Sequence, residues 1–383
     1  MSSQFDSVIL GGGPAGSAAA ISLARRGYTV VLFDKSEYHT IRFGETLQPE
    51  ARKLLTHLEV WEQFISDNHF QSFGIQSAWG QDALYESSFI FNPFGHGWHL
   101  NRVRFDAMLV SAAEKAGVLV LRGSHIIRCC NDAKGQWNLS VLIKDTAYQV
   151  RAPFLIDATG RSSSIARKKG AKKILSDHLV GVVAFFHANN QTSEHKGYTL
   201  IEAQESGWWY SAELPEGRTA LVFMTDADIY ARALKLSPDF WQEQLNSSVH
   251  TKARFVSSNT ISNPKPVASY TSRIYPVAGT NWLAVGDAAM SFDPLSSQGI
   301  YKAMESGISA AKSIHGKFIN RRNTFESYSR SVDEAFEKYL SLRKLYYLKE
   351  QRWSESCFWR RRHLSGTVSD LSKLPNPSLE PTA

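Results

Sequence analysis

The chain has 383 residues, 43% of them hydrophobic and 21% charged, which is ordinary globular material and excludes a disordered or fibrous protein. A net charge of +7 favours an acidic partner only weakly, because such a field is screened within about 8 Å at physiological salt. Three cysteines (Cys129, Cys130 and Cys357) offer no disulfide framework, and no apolar stretch is long enough to span a bilayer, so a cytoplasmic protein without a membrane span is expected.

Residues 6–10 read as a short buried strand, and Gly11 interrupts the apolar run too early for a signal peptide. An alanine-rich helix follows to about Arg26, and residues 28–33 are β-branched and apolar, a second strand. Together they predict a βαβ unit of about 30 residues. Residues 103–116 have the pattern of an amphipathic helix, and residues 118–121, 137–143 and 154–157 that of strands. From about 175 to 275 apolar and polar residues alternate, with Trp208, Trp209 and Tyr210 in a run of strand character, which predicts an antiparallel sheet on the substrate side. A strand at 282–285, a long helix from about Gln298 and an aromatic helical stretch over 325–350 complete the pattern. The last twenty residues carry no periodicity and read as a loose tail.

The first chemical motif is Gly11-Gly12-Gly13-Pro14-Ala15-Gly16. Gly11 permits a tight turn after the strand, Gly13 lets backbone approach a pyrophosphate, and Gly16 with Ala20 lets the helix pack close to the sheet. The helix N-terminus offers free N–H groups and a positive dipole end to phosphates. Asp34 ends the second strand, where a carboxylate can accept ribose hydroxyls. These features predict a dinucleotide site but do not choose between FAD and NAD.

The choice comes from later segments. Gly286-Asp287-Ala-Ala, then Asp293-Pro294-Leu295 and Gly299-Ile300, resembles the late G-D motif of FAD-dependent hydroxylases. Asp157-Ala158-Thr159-Gly160 resembles the D-A-T-G turn of that superfamily, and Asn101-Arg102-Val-Arg-Phe105-Asp106 resembles its R-x-x-F-D element. The resemblance implies an α/β fold: a Rossmann-type FAD-binding domain like that of p-hydroxybenzoate hydroxylase, an antiparallel β-sheet substrate domain and C-terminal helices. It implies that Asp287 binds the ribityl chain and that Arg102 reaches the phosphate–ribose region. It also places Gly11, Gly13, Pro14, Ala15, Gly16, Asp34, Lys35, Arg42, Asp157, Gly160, Gly286, Gly299 and Ile300 at the cofactor. The helix starting near Gln298 would aim its N-terminus at the flavin. The expected FAD-binding domain comprises 1–75, 100–174 and 276–318. Residues 76–99 and 175–275 form the expected substrate-side domain, 319–365 a helical segment and 366–383 the tail.

Phe43-Gly44-Glu45-Thr46-Leu47-Gln48-Pro49 resembles the G-E-S/T…P segment of flavin-dependent tryptophan halogenases. Two halogenase features are missing. Gln76 stands where those enzymes carry a lysine, and a glutamine has no amine to meet hypohalous acid. Ser296 stands where they carry a glutamate. The G-E-T-L-Q-P-E-A and D-P-L-S-S-Q-G-I segments and the C-terminal aromatics, from Tyr346-Tyr347 to Phe358-Trp359, resemble the LodB/GoxB-type flavoproteins of cysteine tryptophylquinone maturation. That resemblance implies an FAD-dependent monooxygenase with non-covalent FAD and molecular oxygen. Its substrate would be a tryptophan of a partner, the precursor of a quinone-cofactor amino-acid oxidase. A halogenase or hydroxylase of a small aromatic, and a flavin reductase like the geranylgeranyl reductases, are the alternatives.

No second G-x-G-x-x-G is present, so the electrons are expected from NAD(P)H visiting the flavin or from a separate reductase. The twelve histidines are scattered without ligand spacing, so no metal is expected, and a flavin gives nucleic acid no role. Glu45 is the acid placed nearest the flavin, a candidate for positioning or proton transfer, and Trp208 and Trp209 with Tyr210 are candidate walls of the substrate pocket. Residues 343–363 mix arginines (Arg343, Arg352, Arg360, Arg361 and Arg362) with aromatics, a composition that suits a docking surface for the partner, an intramolecular lid or a dimer contact.

Overall fold

Short runs of Val, Ile, Leu and Phe, largely buried on both faces except in the edge strand that ends the sheet, build a five-stranded parallel sheet. In spatial order its strands are Trp282–Ala284, Phe154–Asp157, Ser7–Leu10, Val30–Phe33 and Leu119–Leu121. The computed structural model describes residues 2–39, 42–144, 146–187, 196–255 and 260–364. The tail expected at 366–383 lies outside the described residues.

The helix Pro14–Ala24 starts with Pro14, whose fixed φ suits a first helical position, and it follows Gly13 with no side-chain cap. Ala18, Ala19 and Ala20 are fully buried, so the backbone itself comes close to the sheet and to the long helix Gly299–Phe318. On the other side lies Arg102–Lys115, capped by the Asn101 side chain on the Arg104 amide. A four-stranded sheet of Ser2–Gln4, Thr146–Ala152, Trp137–Ile143 and His125–Asn131 flanks this unit.

The second large sheet has seven strands. Their order is Lys265–Ala268, Leu179–His187, Arg218–Asp226, Gly207–Leu214, Tyr198–Gln204, Gly74–Ala78 and Tyr85–Ser88. All neighbours run antiparallel except Tyr198–Gln204 and Gly74–Ala78, which run parallel. That pair joins strands far apart in the chain, with no hairpin to impose the antiparallel sense. Three helices (Ala227–Leu236, Phe240–Ser247 and His250–Phe255) interrupt the stretch that alternation alone reads as sheet.

The period of two along Gly207–Leu214 separates neighbours onto opposite faces. Trp208 and Tyr210 join Ile201, Val222 and Met224 in a cluster with Tyr347, Phe358 and Trp359 of the C-terminal helices Thr324–Leu348 and Cys357–Leu364. Trp209 faces the other way, into a cluster with Phe223, Phe240 and Trp241.

Candidate functional site

A cleft of about 1480 Å³ opens between the C-terminal ends of the parallel strands and the Tyr210 face of the seven-stranded sheet. It exceeds the roughly 300–1,000 Å³ of an ordinary small-molecule site. One end is a nucleotide cradle. Gly11 has φ +112°, and a Cβ there would stand 2.1 Å from the Ala158 carbonyl oxygen, so no other residue fits the turn. A Cβ on Gly16 would stand 1.9 Å from the Gly11 oxygen. A Cβ on Gly13, by contrast, would meet nothing within 4 Å. Gly13 therefore leaves open space in front of an uncapped helix N-terminus, and Pro14, Ala15 and Gly16 line the cleft beside it.

Asp34 is buried and lines the same end, with Lys35 exposed at its rim. Asp34 Oδ2 accepts from the Gly12 amide at 2.7 Å and lies 2.9 Å from the Tyr38 hydroxyl, and Oδ1 accepts from the Ser36 amide at 2.8 Å. The carboxylate thus holds the glycine turn itself and keeps little acceptor capacity for a ribose. Tyr38, which the sequence reading missed, fills the space that a Gly12 Cβ would take.

The later motifs divide. Gly160, Asp287, Gly299 and Ile300 line the cleft. The Asp287 side chain is 40% exposed, with Arg161 Nε 3.5 Å away. The helix Gly299–Phe318 also begins without a side-chain cap. Gly286 does not face the cleft: its amide donates to Ser306 Oγ at 2.8 Å and it packs on Ala15. Asp157 is placed differently from the sequence expectation. It is fully buried, and its oxygens accept from the Thr159 amide and hydroxyl and from the Ile165 and Ala166 amides. With both oxygens so engaged, it shapes the turn that presents Thr159, Gly160 and Arg161 rather than contacting a ligand.

Arg42 and Arg102 both line the cleft and share the buried Asp106. Arg102 also donates to the Phe43 oxygen at 2.7 Å and the Gly44 oxygen at 2.9 Å. It therefore clamps the segment that carries Glu45.

The other end of the cleft is a wall of Phe43, Val183, Val222, Met224 and Val267, and Glu45, Thr46, Tyr210 and Ser269 add polar groups to it. The Thr46 and Tyr210 hydroxyls are 2.7 Å apart. Glu45 is 4% exposed, and its Oε1 has no hydrogen-bond partner among the described residues. Burial pushes the Glu45 carboxyl up to about 7, against the lowering effect of the Arg102 charge and of the Glu45 and Gly44 amides. Burial and the nearby Glu45 raise Tyr210 above the ordinary phenol range, so its hydroxyl stays protonated.

Trp208 and Trp209 do not line the cleft, contrary to the sequence expectation. Both are fully buried; Trp208 Nε1 donates to the Tyr347 hydroxyl at 3.1 Å and Trp209 Nε1 to Gln204 Oε1 at 2.8 Å. Strand alternation turns Trp209 away, and the C-terminal helices cover Trp208. The segment 343–363, expected as a docking surface, a lid or a dimer contact, makes extensive intramolecular contacts and leaves Leu345, Tyr346 and Arg360 exposed. Tyr347, Phe358 and Trp359 are core residues, Arg362 is buried against Asp226, and Arg361 pairs with Asp226 and Asp228. Arg343 bridges Asp177 at 2.8 Å and Asp293 at 3.2 Å, and the Tyr347 hydroxyl donates to Asp293 at 2.7 Å. The segment pins the cleft-lining loop that begins at Asp293. Gln76 lies outside the cleft, on the sheet face opposite Tyr210, with Nε2 3.2 Å from Glu86 Oε2.

Glycine turn, acid and two open helix N-termini beneath a second sheet define a dinucleotide-binding α/β protein, and the cradle and its volume fit FAD. The tryptophan halogenase family matches residues 6–97 and 83–373. The chain belongs to that family of FAD-dependent flavoproteins and is an FAD-dependent oxidoreductase-type enzyme. It is 28% identical to LodB of Marinomonas mediterranea, named as an FAD-dependent oxidoreductase, over 96% of this chain and 100% of that one. Among solved structures it is similar to the flavin-dependent halogenase CmlS, with 25% identity and a TM-score of 0.85 over 96% of this chain and 69% of that one. It shares the fold of QhpG, a peptidyl tryptophan dihydroxylase essential for tryptophylquinone cofactor biogenesis, with 22% identity and a TM-score of 0.74 over 94% of this chain and 79% of that one. Among the described residues there is no cluster able to hold a metal ion and no helix long and apolar enough to cross a membrane.

Proposed function

We propose that this protein is an FAD-dependent monooxygenase that oxygenates a tryptophan of a partner protein, the precursor of an amino-acid oxidase with a tryptophylquinone cofactor. The observation that carries the reading is the cleft itself, with a nucleotide cradle at one end and an apolar wall bearing one buried carboxyl at the other. Non-covalent FAD, reduced by NAD(P)H or a separate reductase, supplies the activation of molecular oxygen. The protein's part is to hold the ring against Val183, Val222 and Met224, exclude water and manage the proton at Glu45. The motifs shared with LodB and the fold shared with QhpG support a tryptophan substrate.

Halogenation of a small aromatic is the second reading, favoured by the family and by the likeness to CmlS. Against it stands the wall: the cleft's lysines, Lys35 and Lys168, follow the acid Asp34 and close the short helix Ser164–Lys168, both parts of the nucleotide-binding unit.

One experiment separates the two. The protein is supplied with FAD, a reductant, oxygen and bromide, together with the oxidase precursor or, separately, free tryptophan. Oxygen from labelled O2 added to a tryptophan of the precursor, with no bromotryptophan, is the expected result. Bromination at enzymatic rates, or a precursor of unchanged mass, overturns the proposal.

A further inference from the structure

The carboxylates that line the cleft are not equivalent. Asp34 is spent on Gly12, Ser36 and Tyr38, and Asp293 on Leu295, Arg343 and Tyr347. Asp287 is half-exposed beside Arg161, and Glu37 stands out in solvent. Glu45 differs in being buried with an oxygen that meets no donor among the described residues.

A buried acceptor left without a donor is costly, so an oxygen of this kind fits a donor that arrives with a ligand. The wall restricts what that ligand can be. Its surface is largely apolar; the hydroxyls of Thr46 and Tyr210 face each other, and that of Ser269 donates to the Val267 oxygen. The nearest cation, Arg102, is engaged by the Phe43 and Gly44 oxygens and by Asp106. An anionic ring would add a second negative charge beside Glu45, where burial already outweighs the favourable effect of Arg102. A neutral aromatic ring carrying one N–H donor matches both the apolar surface and the open oxygen.

We propose that Glu45 recognises the substrate ring through its N–H and accepts that proton during oxygenation. This rests on the reading of the protein as a tryptophan oxygenase. In the step, a ring carbon forms a C–O bond with one atom of molecular oxygen as the O–O bond breaks. The other oxygen atom leaves as water, with two electrons from the reduced flavin. The N–H electron pair moves into the ring and the proton passes to Glu45, so the ring does not carry a full positive charge. Loss of the proton from the attacked carbon to water, and return of the Glu45 proton to nitrogen, restore the aromatic ring. The sum is ring C–H, O2, two electrons and two protons giving C–OH and water.

The recognition half is tested without turnover. The oxidised FAD-loaded protein is titrated with 3-methylindole and with 1,3-dimethylindole, which lacks the N–H, and binding is followed by the flavin absorbance. Wild type should prefer 3-methylindole by about tenfold or more, as expected for a site built around a polar donor. The preference should grow as pH rises through about 7, where Glu45 ionises, and Glu45→Met should lose it. Equal affinity of the two indoles in wild type overturns recognition whatever the variants do.

The proton half is tested with Glu45→Gln, which can accept a hydrogen bond but not a proton. It should bind FAD and 3-methylindole near normally and lose oxygen insertion by about a hundredfold or more, the range of a missing general base. An unchanged rate and pH profile overturns it. If wild type distinguishes the two indoles but inserts no oxygen into any tryptophan, the oxygenase reading fails while recognition by Glu45 stands.

Discussion

Burial penalises the charged form of Glu45 more than Arg102 favours it, and that imbalance links the site to stability. The folded value of about 7 lies above the ordinary 4.5. Below pH 4.5 folded and unfolded chains both hold the proton and the site is at its most stable. As pH rises to about 7 the unfolded chain releases the proton while the folded chain retains it, so stability falls and then levels off. Glu45→Gln should therefore stabilise the FAD-free protein at pH 8 by up to about 3 kcal/mol and change little near pH 4.5, as read by urea unfolding. Equal effects at both pH values would show that the carboxyl is not desolvated.

A second residue-scale contrast separates aspartates that the sequence motifs treat alike. Asp157 holds four donors in the interior, whereas Asp287 is half-exposed at the cleft. Asp157→Ala should lower stability by roughly 1–3 kcal/mol even without FAD, because buried amides lose their acceptor. Asp287→Ala should leave the FAD-free protein as stable as before and reduce the FAD it retains. Flavin content after gel filtration and the unfolding midpoint distinguish the two.

At the scale of elements, the helix Cys357–Leu364 shows how a basic aromatic segment can be structural. Phe358 and Trp359 complete the core on the Tyr210 face, and Arg362 reaches Asp226 at the end of the strand Arg218–Asp226. Both members of that pair are buried, so removing one leaves an uncompensated charge, which costs about 3–5 kcal/mol. Arg362→Glu should accordingly unfold the helix from the sheet and lower the melting temperature sharply. Arg360 is exposed, and Arg360→Glu should stay within about 0.5 kcal/mol of wild type. Loss of stability in both variants alike would place the effect in the segment's net charge instead. Through Arg343 and Tyr347 the preceding helix also fixes the loop at Asp293, so order in the C-terminal helices is order at the cleft.

At the scale of the whole molecule, the cleft is bounded by two sheets, and a ligand filling it touches both. Binding FAD to the folded state alone stabilises by mass action, about 2.7 kcal/mol at a free concentration one hundred times Kd. Removing the flavin should lower the melting temperature, and adding FAD back should restore it in proportion to the logarithm of its concentration. A melting temperature independent of FAD would mean that the cleft does not bind it.

Local rules made the nucleotide end legible. A glycine turn between a buried strand and an alanine-rich helix depends on backbone sterics within a few residues, so Gly11, Gly13 and Gly16 announce the cradle without any tertiary information. The same holds for the strand character of Trp208-Trp209-Tyr210, which follows from β-branched and aromatic composition. Which of the three meets the cleft does not follow, because period two yields two faces and only packing names the one that is covered. Tertiary structure alone turned Tyr210 to the wall, buried both tryptophans, gave the C-terminal arginines to Asp226 and Asp293, and left one Glu45 oxygen without a donor. Each of these depends on partners from other elements, as far as 136 residues away for Arg362 and Asp226 and 164 for Thr46 and Tyr210, and a sequence read locally carries the chemistry of a side chain but not the identity of its neighbours.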